Sequence, residues 1–339
     1  MRATIMTVHA HPDDEASKGS GTIAKYAHRG ARAVLVTCTG GEAGDVINPA
    51  VADQVAERGM AAVREEELEK SCRALGYESL HMLGYHDSGM PGTDVNERPD
   101  NFANADLNEA TERLVRIIRA ERPQVLVTYS DRHDFYPHPD HIKTHEVSVA
   151  AVAAAADPDR YPDSGEPHTV AKVFYVEFSI QMILLLHQAF IDRGEESPFA
   201  PFLERVPGLL ELAVEGIEGP PTNGLTTRVD VGRFLAERRG SLQAHRSQIP
   251  DDSFFLTVPD ELVAEVYPFE DYSRASSDVD VTIDELGWET DLFSGLDGLV
   301  WEPPGGIAAL SEFLAPADGG ALGQGDPDEA SDELAGRHS

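Results

Sequence analysis

The sequence of 339 residues has few cysteines and no long apolar run. Its two cysteines, Cys38 and Cys72, cannot form a disulfide framework, and their spacing fits no cysteine-based metal motif. No apolar run approaches the roughly 18 residues that a membrane span requires. The N-terminus lacks the charged, apolar and small-residue regions of a signal peptide. We therefore expect a cytoplasmic protein without a membrane partner.

Positive charge is also scarce. The chain has five lysines and a formal net charge of -33 at pH 7. A nucleic-acid partner would require a basic surface, so we expect no nucleic acid to bind. The acidic residues are spread along the chain, which is typical of a solvated surface or a salt-adapted protein rather than a binding patch. The charge therefore excludes one class of partner and indicates no reaction.

Short apolar runs alternate with helical patterns in the first half of the chain. Strands are predicted over residues 3–8, 33–38, 80–83 and 125–129. Helices are predicted over residues 18–29, 53–75, 107–119 and 141–156. Strand and helix in this alternation indicate a parallel sheet with crossover helices. We predict an α/β fold, Rossmann-like, with three α/β/α layers and a mostly parallel sheet, over residues 1–156.

The pattern loosens after residue 156. Strands are predicted over residues 171–178 and 226–230, and helices over residues 180–193, 204–217 and 233–245. Because no linker is evident, residues 157–296 are interpreted as a smaller mixed extension that completes the substrate pocket. Residues 297–339 are rich in Gly, Pro and acidic residues, which predicts a flexible tail. No feature of the chain indicates its oligomeric state.

Two clusters of histidines and carboxylates follow predicted strands, at residues 9–15 and 136–141. A charge cluster at the end of a buried strand is costly unless something pairs with it. In an open α/β sheet, ligands bind at the carboxyl ends of the strands. We interpret the two clusters as two halves of one metal site. His9, inside the first strand, is interpreted as a packed histidine, and Glu15 either caps the following helix or orients His11.

His11, Asp14 and His141 are the predicted metal ligands. A catalytic zinc site needs three protein ligands and one position open to water. His11 and Asp14 lie three apart on a turn, and His141 can approach from the opposite loop. A structural site would instead be closed by four Cys or His ligands. The predicted cofactor is one Zn²⁺ per chain, and Fe²⁺ also suits two histidines and a carboxylate.

Four further residues are predicted to act on the reacting groups. Asp13 lies beside the metal without binding it and can take a proton from the attacking water. His138 and Tyr136 can donate hydrogen bonds to the oxygen that becomes negative when a carbonyl is attacked. Asp140 is suited to orient and stabilise His138. The predicted reaction is metal-assisted hydrolysis of an amide or an ester.

The two motifs together resemble those of the LmbE-like, PIG-L-type metal-dependent deacetylases. The sequence AHPDDE at residues 10–15 and the sequence HPDH at residues 138–141 carry most of the resemblance. Further matching segments are residues 16–19, 39–42, 84–89, 136–137, 244–249 and 289–293. The resemblance covers residues 1 to about 296 and implies the same metal ligands, general base and electrostatic catalyst as those assigned above. It also implies that Tyr136 is a mobile tyrosine that contacts the tetrahedral intermediate.

The resemblance further implies a set of substrate-binding residues: Lys18, Glu42, Arg64, Asp87 and His245. Lys18 occupies a position that distinguishes the amidase branch of the family, and Glu42, Arg64 and Asp87 fall where the family binds sugar and inositol hydroxyls. His245 is a candidate for the pocket wall. Lys18 could instead be an ordinary first-turn residue, Arg64 could pair with Glu67 on a helix surface, and His245 could face solvent.

The function implied by this branch is hydrolysis of mycothiol S-conjugates to a mercapturic acid and glucosaminyl-inositol. The expected partner is a small-molecule thiol conjugate, whose neutral sugar needs no basic groove. One alternative is an N-deacetylase acting on N-acetylglucosaminyl-inositol or another amino sugar. An alternative of another class is a metal-containing interaction protein without catalytic activity.

Overall fold

A seven-stranded sheet forms the centre of the computed structural model, which describes residues 1–132, 137–205 and 224–302. The strands are β1 (Thr4–His9), β2 (Arg32–Thr39), β3 (Ser79–Tyr85), β4 (Val125–Thr128), β5 (Lys172–Glu177), β6 (Thr227–Asp230) and β7 (Phe269–Ser277). Their order across the sheet is β3-β2-β1-β4-β5-β7-β6. The first five strands pair in parallel, whereas β7 runs antiparallel to both β5 and β6. The predicted α/β class with a mostly parallel sheet is confirmed.

Helices cover both faces of the sheet. In the described residues they are α1 (Asp14–Ser17), α2 (Ser20–Arg29), α3 (Ala52–Arg58), α4 (Met60–Leu75), α5 (Leu107–Glu121), α6 (Pro139–Ala156), α7 (Ile180–Asp192), α8 (Ala200–Arg205), α9 (Leu235–Ala244), α10 (Phe254–Thr257) and α11 (Asp260–Val266). Helices α2, α4, α7 and α9 lie on one face, and α5 and α6 lie on the other. No helix in this part of the chain is long and apolar enough to cross a membrane.

The strands are apolar on both sides because both faces of the sheet are covered. Successive side chains of a strand point to opposite faces. In β1, Ile5 packs in the cluster that contains Tyr26 and Leu68, whereas Met6 packs in the opposite cluster with Leu114. All five side chains are fully buried. This double burial is why the parallel strands appear in the sequence as nearly continuous apolar runs.

Glycines divide two helices that the sequence pattern predicts to be longer. The helix predicted over residues 53–75 is wrong as a single element, because Gly59 (φ 80°, ψ 153°) separates α3 from α4. The helix predicted from residue 18 begins at Ser20, because Gly19 has a φ of 82°. Both conformations are accessible to glycine but costly for other residues. Of the helix predicted over residues 204–217, residues 206–217 lie outside the described residues, as do residues 303–339 of the predicted tail.

Residues beyond 156 continue the same sheet. Strand β7, which the sequence pattern did not predict, joins β5 to β6. The side chain of Lys172, on β5, pairs with Glu289, which also accepts hydrogen bonds from Arg274 (2.6 Å) and Thr227 (2.9 Å). These buried polar contacts connect the three edge strands with the segment after residue 288. The division of the chain at residue 156 remains a prediction.

The segment around Val300 returns to the beginning of β1. Its carbonyl accepts a hydrogen bond from the amide of Ala3 (2.9 Å), and its own amide donates to the carbonyl of Met1 (3.0 Å). Two residues later, the amide of Glu302 donates to the carbonyl of Gly30 (3.0 Å). Residues 300–302 therefore lie at the amino edge of the parallel strands, opposite the edge where the predicted site residues follow β1 and β4.

Candidate metal centre and active site

The predicted site residues meet where the strand order of the sheet reverses. From β1 the chain proceeds outward through β2 to β3, and it then returns to β4 on the other side of β1. The carboxyl ends of β1 and β4 therefore diverge, and such a switch point is where open α/β sheets bind ligands. Residues 10–15 leave the end of β1, and the segment from Tyr129 to helix α6 leaves the end of β4.

A tight turn at the end of β1 places three charged side chains in different directions. The amide of His11 donates to Asp14 Oδ2 (3.0 Å), which closes the turn. Asp13 has φ 110° and ψ -23°, a conformation that costs a residue with a side chain roughly 1–3 kcal/mol. Such strain persists only where surrounding contacts hold the backbone, so the placement of Asp13 is imposed by its neighbours.

His11, Asp14 and His141 form one compact group of candidate ligands. Asp14 Oδ2 lies 3.4 Å from His11 Nδ1 and 3.3 Å from His141 Nε2. Ligands of a tetrahedral zinc ion, each roughly 2.0–2.1 Å from the metal, are separated by roughly 3.3–3.4 Å. All three residues are buried. The donor set of two imidazoles and one carboxylate therefore fits a divalent metal.

Tyr129, at the end of β4, holds two members of this group. Its hydroxyl donates to Asp14 Oδ2 (2.7 Å) and accepts a hydrogen bond from the amide of Ala10 (3.0 Å). Its ring stacks on that of His141, with centroids 4.4 Å apart and an angle of 14° between the planes. Tyr129 therefore fixes a carboxylate from one strand end and an imidazole from the other.

A second group, consisting of Asp87, His138 and Asp140, surrounds the opposite nitrogen of His11. His11 Nε2 lies 3.1 Å from Asp140 Oδ2 and 3.6 Å from Asp87 Oδ1. Asp140 also accepts hydrogen bonds from the amide of Ser88 (2.9 Å) and from its hydroxyl. A neutral imidazole has only one lone pair on its ring nitrogens, so His11 can be a ligand in one group and a hydrogen-bond donor in the other.

The carboxylates of the site shift the pKa values of its histidines. Burial acts to lower the pKa of His11, but hydrogen bonds to Asp14, Asp140 and Asp87 raise it well above the ordinary value. Burial lowers the pKa of His141 to about 4, so its ring is neutral at physiological pH. Burial would raise the pKa of Asp14, but Lys18 and His141 hold it well below its usual range. Asp14 and His141 therefore have the protonation states of metal ligands.

Asp13 lies beside the ligand group and is fixed by Arg64. The guanidinium donates to Asp13 Oδ2 (2.9 Å), to the carbonyl of Pro12 and to the carbonyl of Gly41 (2.6 Å). Burial raises the pKa of Asp13, with opposition from the positive charge of Arg64 and further support from the charge of Asp14. A raised pKa makes this carboxylate a stronger base, while a quarter of the side chain remains exposed. Arg64 is 3% exposed, so it does not lie on the solvent-facing surface of helix α4.

His138 begins helix α6 as its N-cap. Its Nδ1 accepts the backbone amide of Asp140 (3.2 Å), and burial lowers its pKa, which favours the neutral ring. With Nδ1 as acceptor, the ring proton lies on Nε2, where it can be donated. The carboxylate of Asp140 is bonded to Ser88 and lies beside His11 and His138. Its role in orienting His138 stays a prediction. Tyr136 lies outside the described residues.

Lys18 and Glu42 lie at the rim of the site. Lys18 Nζ lies 2.5 Å from Asp14 Oδ1, and its side chain is 30% exposed. Glu42 Oε1 accepts the amide of Asp87 (3.0 Å) and contacts Nδ1 of His86 (2.9 Å). The loops after β2 and β3 are therefore joined beside the ligand groups. Glu42 and Asp87 are two of the residues that the resemblance assigns to sugar binding, and this role stays a prediction.

His245 is fully buried, so the expectation of a solvent-facing side chain is wrong. Its Nε2 lies 2.5 Å from Oε1 of Glu15, which also accepts the hydroxyl of Ser71. The other oxygen of Glu15 accepts the amide of Asp13 (2.9 Å). Glu15 therefore bonds to the N-cap residue of α1, and among the described residues it makes no hydrogen bond to His11. Both members of the Glu15–His245 pair lie behind the site.

Tyr129 and Ser88 are the two site residues that sequence reasoning missed. Tyr129 is the last residue of an apolar run and resembles a core aromatic. Ser88 lies in the turn-rich loop after β3, where serine is common. One usable signal was the position of Tyr129 directly after β4, at the same sheet edge as the histidine clusters.

Comparison with known proteins places this site in a known class. The chain has a His/Asp centre at the switch point of an α/β sheet, and its relatives are named as amidases and deacetylases, so it is a hydrolase that acts on amide bonds. Residues 6–152 match the family PIG-L, described as GlcNAc-PI de-N-acetylase. The chain belongs to this family, whose deacetylases are metal-dependent.

Two relatives with similar identity to this chain have different names. Mycothiol S-conjugate amidase of Streptomyces coelicolor is 40% identical over 298 residues, which cover 86% of this chain and 97% of that protein. The 1D-myo-inositol 2-acetamido-2-deoxy-alpha-D-glucopyranoside deacetylase of Geodermatophilus obscurus is 41% identical over 301 residues, which cover 87% and 98%. The structure of N,N'-diacetylchitobiose deacetylase from Pyrococcus horikoshii is similar in fold, with a TM-score of 0.54, 19% identity and coverage of 80% and 83%.

Proposed function

We propose that the protein is a zinc-dependent amidase that cleaves mycothiol S-conjugates into a mercapturic acid and glucosaminyl-inositol. The observation that carries this proposal is the convergence of His11, Asp14 and His141 at ligand spacing, with Asp13 beside them. Sequence identity of 40% to a mycothiol S-conjugate amidase, over 86% of the chain, supports the substrate.

His11, Asp14 and His141 would hold the metal, and Asp140 would accept the proton of His11 Nε2. A ligand histidine is commonly oriented by a carboxylate bonded to its other nitrogen, and the 3.1 Å contact with Asp140 has this form. The bonds from Ser88 keep Asp140 directed at His11. Zinc suits this mixed donor set, and Fe²⁺ is the alternative.

When bound, the metal supplies a Lewis acid that activates water and polarises the scissile carbonyl. Asp13 takes the proton of the attacking water and delivers it to the leaving amine of glucosamine. His138 donates its Nε2 proton in a hydrogen bond to the oxygen that becomes negative, and Tyr136 is a further candidate donor. Arg64 keeps Asp13 in position throughout.

Lys18 is proposed to determine which acyl group the site accepts. The acyl part of a mycothiol conjugate is an S-substituted N-acetylcysteine, which carries an additional amide carbonyl close to the scissile bond. The partly exposed ammonium of Lys18, beside Asp14, can donate a hydrogen bond to such a carbonyl. A simple acetyl group has no second carbonyl to accept it. Glu42, Asp87 and Arg64 are proposed to bind or to shape the site for the glucosaminyl-inositol hydroxyls.

The second candidate function is deacetylation of N-acetylglucosaminyl-inositol. The 41% identity to a deacetylase with this substrate favours it as much as the 40% identity favours the amidase. Both reactions use the same ligands, base and sugar. They differ in the group beyond the scissile carbonyl.

The test is to compare how efficiently the zinc-loaded protein hydrolyses two substrates. We expect kcat/KM for a bimane S-conjugate of mycothiol to exceed that for N-acetylglucosaminyl-inositol by at least 100-fold, about 2.7 kcal/mol of differential transition-state binding. A preference of that size for the acetyl compound would support the deacetylase. Hydrolysis of neither substrate by protein that retains one metal per chain would contradict both.

The matched variant for this experiment is Lys18→Met, which keeps the length of the side chain without its charge. The proposal predicts a larger loss of kcat/KM for the conjugate than for the acetyl compound. Equal losses for both substrates would instead indicate that Lys18 acts only through its ion pair with Asp14. Lys70→Met, which breaks an exposed ion pair with Glu66, serves as the control.

A further inference from the structure

We infer that His245 and Glu15 are positioning residues for the general base, through which the C-terminal half of the chain controls catalysis. This inference rests on the proposed role of Asp13. The two side chains do not reach the ligand groups. They act on the backbone of Asp13, and the observation that carries the inference is a continuous path of contacts from α9 to that backbone.

The path begins at the end of helix α9. His245 is the C-cap of this helix and is 0% exposed. Its Nε2 contacts Glu15 Oε1, whereas its Nδ1 has no hydrogen-bond partner among the described residues. Glu15 is also 0% exposed. A carboxylate buried this deeply requires a hydrogen-bond donor for each oxygen. Oε1 of Glu15 has two such partners, His245 and Ser71.

The path ends at the strained turn. Glu15 Oε2 accepts the amide of Asp13, the residue with φ 110°. On the other side of the turn, Arg64 binds the carboxylate of Asp13 and the carbonyl of Pro12. The base is therefore held at its backbone by Glu15 and at its side chain by Arg64. Loss of either contact would allow the turn to relax toward an ordinary conformation.

The residues after His245 continue along the same surface. The amide and hydroxyl of Ser247 both bind the carboxylate of Glu67 (2.8 and 2.6 Å). The carbonyl of Ser247 accepts the amide of Ile47 (3.1 Å). Residues 245–247 thus contact the turn of the base, helix α4 and the loop after β2. This single segment of the C-terminal half braces three parts of the catalytic half.

Two substitutions of His245 separate positioning from general structural support. His245→Gln places an amide donor near the former Nε2, so it can still bond to Glu15. His245→Asn places its amide near the former Nδ1 and leaves Glu15 without that donor. The matched control is His168→Asn, because His168 is also buried (6% exposed) and bonds through Nε2 to the carbonyl of Pro123 (2.7 Å), at the amino edge of the sheet.

The measurements are kcat and KM on the preferred substrate, metal content per chain, and the midpoint of thermal unfolding. We expect His245→Asn to lower kcat by about 10- to 100-fold, the usual consequence of a misplaced catalytic group. KM should change less than kcat and metal content should stay at the wild-type level. His245→Gln should recover most of kcat. His168→Asn should reduce thermal stability by a similar amount and leave kcat unchanged.

Other results would overturn the inference. Equal kcat values for the Asn and Gln variants would show that the bond to Glu15 is not what matters. A rise in KM without loss of kcat would make His245 part of the pocket wall. A slow Asp13→Asn variant together with a normal His245→Asn variant would overturn the inference alone, whereas normal turnover by Asp13→Asn would overturn the proposed base and the inference with it.

Discussion

Two regions of the molecule bury charged groups, and they balance that charge differently. At the switch point, the described residues include four buried carboxylates, whereas the permanently charged cations that contact the site are Lys18 and Arg64. At the antiparallel edge of the sheet, Glu289 contacts both Lys172 and Arg274. The four carboxylates of the site are Asp14, Glu15, Asp87 and Asp140.

The way in which each cluster balances its buried charge indicates its role in the protein. Burial of a charge is tolerated when a partner of opposite charge is close. The edge cluster has its partners within the chain, so it serves to join strands. The site cluster has an excess of negative charge, which is stable only with protonated histidines or a bound cation. A cation bound by His11, Asp14 and His141 would offset this excess of negative charge.

The largest effect should come from replacing Asp13, the proposed general base. Asp13→Asn keeps the size of the side chain and a contact with Arg64, but it removes the proton acceptor. We expect kcat to fall by about 10²- to 10⁴-fold, the usual contribution of general acid–base catalysis. Steady-state kinetics combined with metal analysis provide the check. Wild-type turnover at full metal occupancy would contradict the assignment.

The next largest effect is expected at the edge cluster, where buried charges are paired within the chain. Glu289→Ala leaves Lys172 buried without its carboxylate, which should lower the free energy of unfolding by about 3–5 kcal/mol. Denaturant titration would measure this loss, and kcat of the folded fraction should remain that of the wild type. Glu66→Ala, at an exposed pair, is the control and should change stability by less than about 1 kcal/mol. Equal losses in the two variants would contradict the comparison.

A smaller effect is expected at Ser88, which lies next to the candidate metal ligands. Ser88→Ala removes the hydroxyl bonded to Asp140, which is proposed to orient His11. Loss of such a supporting contact typically reduces metal affinity or activity by about 10- to 100-fold. Competition with a zinc chelator would measure the affinity. Ser164→Ala removes a comparable contact to Glu112 far from the site and should not change it.

The smallest effect concerns a carboxylate at the amino edge of the sheet. Burial would raise the pKa of Glu121, but hydrogen bonds from His81 and Arg32 lower it to about 2 from an ordinary value of 4.5. Because the folded-state pKa is lowered, this residue stabilises the fold above pH 4.5 and loses that contribution as the pH falls toward 2. Unfolding free energies across this interval should therefore decline less steeply for Glu121→Gln. An unchanged slope would contradict the prediction.

The sequence predicted the parallel part of the fold and strand β6 of the antiparallel edge, but it missed strand β7. Strands β1 to β5 are covered on both faces, so their side chains form recognisable apolar runs. Strand β7 reads FEDYSRASS, and its polar side chains include Asp271 and Arg274, whose partners lie on other strands or segments. A strand stabilised by ion pairs between distant residues carries no local pattern from which to recognise it.

The site shows the same division between local and distant information. The turn after β1 and the N-terminus of α6 could be proposed as metal-binding from residue type and spacing alone. The pairing of Glu15 with His245 could not, because 230 positions separate them. The contact of Asp140 with Ser88 was missed for the same reason. In both cases the fold, rather than local spacing, selects the partner.

The return of Val300 to the start of β1 has a practical consequence for handling the protein. The site begins at the far end of β1, six residues away, or roughly 20 Å along the strand. A peptide tag placed before Met1 would therefore emerge beside residues 300–302, at the edge of the sheet opposite the site. Protein immobilised on a sensor chip through such a tag would present the site to the flowing solution.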